Sequence, residues 1–127
     1  GKIKSTPEAI YTALERAPLH LASSKRAEIG AIEGIYWAFV DASHALLIAS
    51  NVTPPSPEFI PSLLTEHFVK RKILEPIYVE WYTQVFQIYK GVSHGTVREV
   101  KGQNIDDLQE KAGKFIGKMA ELIRQRI

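Results

Sequence analysis

Lys90 and His94 are the residues of this 127-residue sequence whose types and spacing best suit chemistry on a phosphate. Four residues apart on a helix, they share a face. The imidazole could take a proton from a ribose hydroxyl or give one to a leaving oxygen. The ammonium could face the same phosphate. Gln84 and Gln87 lie on the polar side of the same segment and offer amides to a polyanion and its bases. A plain reading stands beside this one: His94 is a polar residue at a helix end, where the dipole suits a cation. The residues alone leave both open.

A second polar set is Glu33, Asp41 and His44. At about 100° per residue they fall on one side of a helix with Gly30, Gly34 and Trp37. Two carboxylates and a histidine raise the thought of a metal, but di-iron bundles need repeated Glu-x-x-His units. The partner helix has none, so no metal is expected. The stripe then either packs against a symmetry mate or lines a groove opposite the Lys90 helix. Tyr36, Trp37, Trp81 and Tyr89 could stack a base; in a bundle such rings more often fill the core. No phosphate-cradling glycine loop, nucleophile elbow or H-E-x-x-H motif is present, and no cofactor is implied.

The segments that must position these residues read as helices. Residues 27–50 are apolar around most of the circumference and contain no proline. Such a helix belongs in the middle of a bundle. Thr6-Pro7-Glu8 starts an earlier helix near 7–23, which Pro18 should kink. Asn51 is a plausible C-cap, and Pro54, Pro55 and Pro57 enforce an extended connection. A short helix over 58–70 follows, with Phe59, Leu63, Leu64, Phe68 and Val69 as its apolar residues and Lys70-Arg71-Lys72 at its negative end. That basic run reads as capping and solvated. The fourth helix runs from about 75 to 94 and Gly95 ends it. Its apolar side holds Ile77, Trp81, Tyr82, Val85, Ile88, Tyr89 and Val92. Residues 96–103 read as a loop, and Asn104 as the cap of a fifth helix whose buried face includes Ile105, Leu108, Ala112, Phe115 and Met119. The fold class is all-α: an up-and-down bundle of about five helices in one domain, 1–127.

Composition sets the bounds on function. Charged residues are 24% and hydrophobic residues 45%, the balance of a globular chain. No run of 18 or more apolar residues appears, so no membrane span is expected. The N-terminus lacks an apolar core of the secretory type. With no cysteine, disulfides, zinc thiolates and thiol catalysis are excluded, which fits a cytoplasmic protein. The net charge of +2 is uneven. Residues 1–63 carry five Lys/Arg against six Asp/Glu, and residues 64–127 carry eleven against eight. The basic half admits an anionic ligand. It falls short of the dense footprint of a dedicated DNA binder.

Several stretches, in order, resemble the HEPN family (higher eukaryotes and prokaryotes nucleotide-binding). Tyr36-Trp37-Ala38-Phe39 followed by residues 42–47 looks like that family's second helix. The proline-rich break and a short helix ending Glu66-His67-Phe68-Val69-Lys70 also fit. Tyr89-Lys90-Gly91-Val92-Ser93-His94-Gly95 looks like its motif region, and a final helix with Ala112 and Phe115 completes the pattern over about residues 7–124. The resemblance implies a small up-and-down helical bundle, usually a homodimer. Members are RNA-cleaving toxins or partners of minimal nucleotidyltransferases, and some bind nucleotides. RNase members carry an Arg, then four to six residues, then His. Counting back from His94, those positions are Tyr89, Ile88 and Gln87, and none is Arg. Lys90 would keep a positive charge there without the two-point hold of a guanidinium. The resemblance therefore implies a non-catalytic nucleotide- or RNA-binding subunit, with a toxin-type endoribonuclease of altered motif as the alternative.

Overall fold

The computed structural model describes residues 10, 12, 14–16, 28–97 and 100–126. Residues 10, 12 and 14–16 are helical and mark α1. Four longer or better-bounded helices follow: α2 (Glu28–Ala49), α3 (Ile60–Leu64), α4 (Pro76–Ser93) and α5 (Gly102–Arg124). The described residues contain five helices and no strand, the all-α bundle expected. The expected signals at Thr6-Pro7-Glu8 and Pro18 lie outside the described residues.

Helix α2 is the centre because it is apolar nearly all round. Ile32, Ile35, Phe39, Val40, Leu46 and Leu47 are all buried. The segment Gly30–Ala49 is long and apolar enough to cross a membrane by length and composition, yet 72% of it is buried inside the bundle. Its apolarity is accounted for by the helices around it. The most extensive interface is α2 against α5, with α4 next. Phe39 stands where the three meet, its ring centroid 4.4 Å from Phe115 of α5 and 6.3 Å from Tyr82 of α4.

Ring and ion pairs fix the directions. Tyr36 meets Tyr89 and Phe39 meets Tyr82, so α2 and α4 run antiparallel. Glu75 meets Lys118 and Gln84 meets Lys111, so α4 and α5 run antiparallel too. That is the up-and-down arrangement.

Local chemistry sets the helix ends. Asn51 adopts φ 60, its N–H donates to the Ile48 carbonyl, and Val52 N–H donates to Leu47. This paired 5→2 and 6→1 arrangement is the Schellman closure, with asparagine tolerating the left-handed conformation. Gly95 does the same for α4 at φ 74, with Gly95 N–H on Val92 and Thr96 N–H on Gly91. Lys72 closes the third-helix region identically, at φ 60. That region is not one regular helix. A 3-10 turn at Pro57–Phe59 leads into α3, which widens into a π turn at Thr65–Val69 where Lys70 N–H reaches back to Thr65. The Tyr82 hydroxyl donates to the Pro57 carbonyl at 2.8 Å and pins its start to α4.

Three expectations need correction. Helix α5 starts at Gly102, so Asn104 lies inside its first turn, where its N–H donates to Lys101, and caps nothing. Ile77 is 43% exposed, because it is the next residue, Tyr78, whose ring turns inward to Phe115 of α5. Phe59 is 55% exposed, because the buried stripe of its segment is Ile60, Leu64 and Phe68 at fourfold spacing.

Candidate nucleic-acid interface

The C-terminal half of α4 carries the polar residues singled out from the sequence. His94 occupies the C-cap, exposed, with φ −89 and ψ 0, its backbone N–H on the Lys90 carbonyl at 2.9 Å. Lys90 is exposed one turn earlier, and its ammonium lies 5.2 Å from the centre of the Phe86 ring. That is cation–π range. Gln87 is exposed on the same face. Gln84 turns away: its Oε1 accepts from Lys111 Nζ at 3.3 Å, which commits it to the α5 side.

An aromatic seam backs this face. Tyr36 and Tyr89 stack at 3.8 Å with an interplanar angle of 4°. Trp37 meets Tyr36 edge-on at 5.1 Å, and Phe86 lies 6.2 Å from it. Tyr36 is buried, whereas Trp37, Phe86 and Tyr89 are half-buried. The rings therefore begin in the core and emerge between α2 and α4. Burial is the main reason the Tyr36 phenol is pushed up from 10.0 to about 12, with Tyr89 and Glu58 adding to it. The Tyr82 phenol is raised too, first by burial and then by Tyr36. Both rings stay neutral at ordinary pH and serve as apolar surface.

The polar stripe of α2 divides along its length. Glu33 is exposed, one turn before Tyr36, and the antiparallel register puts it beside the last turn of α4. Asp41 and His44 lie past Phe39, toward the first turn of α4 and away from His94. His44 Nε2 donates to the Pro55 carbonyl at 3.1 Å, tying α2 to the proline-rich connection. Its pKa is lowered by burial, partly offset by the Pro55 bond and by Asp41. The structure thus brings Lys90, Gln87, His94 and Glu33 to one end. It gives His44 a structural partner at the other end, and half-buries Asp41 there. Gly30 and Glu33 are exposed and Trp37, Asp41 and His44 half-buried, so the stripe follows the least covered side of α2, with Gly34 buried at its edge. No group of three or more metal-ligating side chains stands together among the described residues.

No protein-family model matches this chain, and no curated protein matches it. The functional reading therefore rests on the residues and their placement.

That placement offers half-buried rings, one cation held over a ring, an amide and an imidazole along about two turns of helix. Phe86 is the member the sequence reading missed. Its signal was present: it precedes Lys90 by four residues, the spacing that lays a lysine over an aromatic ring. Among the described residues, the set holds one cation, Lys90, and no guanidinium. Lys90 presents a point charge, and its ammonium is engaged by Phe86.

Proposed function

We propose that this chain is a non-catalytic, HEPN-like subunit that binds nucleotide or unpaired RNA across the C-terminal half of α4. The observation that carries the reading is the emergence of the Tyr36–Tyr89 stack, flanked by Trp37 and Phe86, beside Lys90. Aromatic faces that reach the surface next to a cation suit stacked bases with a phosphate alongside. The net positive C-terminal half supports the same ligand class. In this reading the protein is a homodimer, its α2 stripe and the His94 end of α4 lie at or beside the two-fold axis, and the assembly works with a minimal nucleotidyltransferase.

Cleavage is expected to be slow or absent. Without an arginine at the permitted spacings, a few kcal/mol of transition-state stabilisation is missing, a loss on the order of 10²–10³-fold in rate. The test is an RNA cleavage time course with the purified protein and a His94→Ala control, run beside nucleotide binding. Robust cleavage that vanishes in the control would replace this reading with the toxin-type endoribonuclease. If neither cleavage nor His94-dependent binding is seen, the α4 face is structural.

A further inference from the structure

The flank of α4 that faces α5 is not filled. A cavity of about 260 Å³ lies there, lined by Gln84, Ile88, Val97, Val100, Asn104, Asp107 and Leu108. Its construction follows from the end of α4. After the closure at Gly95 the chain folds back along the helix, with Thr96 N–H, Val97 N–H and the Thr96 hydroxyl all donating to the Gly91 carbonyl. Val97 comes so close that a Cβ on Gly91 would stand 2.5 Å from its Cγ2. Glycine at 91 is what allows this approach. Val97 and Val100 then wall the cavity, with Ile88 and Leu108 opposite.

Among the described residues, the charged side chain that lines it, that of Asp107, is answered by Lys111. Lys111 Nζ sits 3.0 Å from Asp107 Oδ2 and donates to Gln84 Oε1. The cation and carboxylate thus answer one another, and the rim does not select a phosphate. What remains for a guest is hydrogen-bonding capacity without net charge. Gln84 has committed its oxygen and still has its amide N–H groups. Asn104 is exposed and carries both a donor and an acceptor. Apolar walls below amides suit a flat, neutral heterocycle with adjacent donor and acceptor groups. An asparagine such as Asn104 pairs in this two-point way with adenine, through its exocyclic amine and ring nitrogen, and Gln84 adds a single donor. Splaying an unpaired base out of a strand into such a pocket is a common mode of RNA reading.

We infer that this cavity between α4 and α5 is a base-recognition subsite for adenine, whether in a free nucleotide or in an unpaired strand. The inference rests on the nucleotide-binding reading above and adds to it a second contact, on the other flank of α4 from the aromatic seam. A strand stacked at Trp37 and Phe86 would cross the exposed face holding Gln87 and His94 to reach it. The ligand at full length is then a short single strand, and a mononucleotide would use one flank at a time.

The test is fluorescence anisotropy with end-labelled RNA pentamers of adenosine, of guanosine and of abasic spacer, with AMP as competitor. The proteins are the wild type, Asn104→Leu, Gln84→Leu and Lys90→Ala, each checked by its melting curve. The expected result is that the adenosine pentamer binds more tightly than the abasic one and that Asn104→Leu narrows this gap on the order of 10-fold. Abasic binding should not change in Asn104→Leu, whereas Lys90→Ala should weaken every strand. AMP that competes with the wild type and loses affinity in Gln84→Leu supports the free-nucleotide source. If adenosine binding is Lys90-dependent but indifferent to Asn104 and Gln84, the subsite is overturned and the seam reading survives. A preference for guanosine overturns the adenine assignment. If no strand binds the wild type, the nucleotide reading fails and the subsite fails with it.

Discussion

Helix α4 has two flanks, and they are built differently. Toward α2 it presents Tyr82, Phe86 and Tyr89, and flat rings meet flat rings; Tyr36 and Tyr89 stack 3.8 Å apart with their planes nearly parallel. Toward α5 it presents Gln84 and Ile88 at the cavity and Glu75 at its start, and the contacts are one tilted ring pair, Tyr78 with Phe115 at 6.4 Å, a hydrogen bond, a 3.7 Å ion pair and the 260 Å³ cavity. Large aromatic side chains fill a helix–helix groove with few atoms left over. Branched aliphatics under long polar chains do not. The first flank should therefore hold the fold, and the second should be open to a guest.

The largest test of that contrast is Phe39→Ala. Phe39 is 1% exposed and touches rings on both α4 and α5. Truncation should cost roughly 3–5 kcal/mol in a denaturant melt. A loss below about 1 kcal/mol would mean that α2 is peripheral.

The next effect is alkaline. The folded Tyr36 phenol is raised above its unfolded value of 10.0, so the folded state favours the neutral form. Its contribution is fully present below pH 10 and is lost as pH climbs through about 12. Tyr36→Phe should remove about 1–2 kcal/mol of the fall in stability across that window. Parallel stability–pH curves for the two proteins would show that the stack is wet.

Tyr89→Leu keeps an apolar side chain but removes the ring partner. We expect a loss of about 1 kcal/mol beyond any change in buried area, together with weaker binding of every RNA strand. Unchanged RNA affinity would confine the aromatic seam to a packing role.

The smallest effect belongs to the polar flank. Lys111→Met removes both the Asp107 pair and the Gln84 bond, yet these are partly exposed. The cost should stay within about 0.5–1 kcal/mol. A loss comparable to that of Phe39→Ala would erase the distinction between the flanks.

How much of this could be read along the chain depends on the range of the force concerned. Helix ends depend on residues within one turn, so Asn51, Gly95 and Pro76 marked theirs in the sequence. The sequence starts the fifth helix three residues late because Asn104 is a strong local cap signal, while the cap position is Lys101 and the chain already turns helical at Gly102. At the candidate site, Lys90 and His94 were legible from spacing. The diversion of Gln84 to Lys111 was not, because the two lie 27 residues apart.

By itself the sequence determined an all-helical chain with one helix apolar on nearly every side, and where most helices stop, since periodicity and capping are properties of neighbouring residues. Only the tertiary structure decided which face of each helix is covered. It left Ile77 and Phe59 in solvent, gave His44 to the Pro55 carbonyl, and turned Gln84 to Lys111. It also left space beside Gln84 that no pattern along the chain encodes. The physical reason is that burial and cavities belong to pairs of surfaces, and a sequence specifies only one surface at a time.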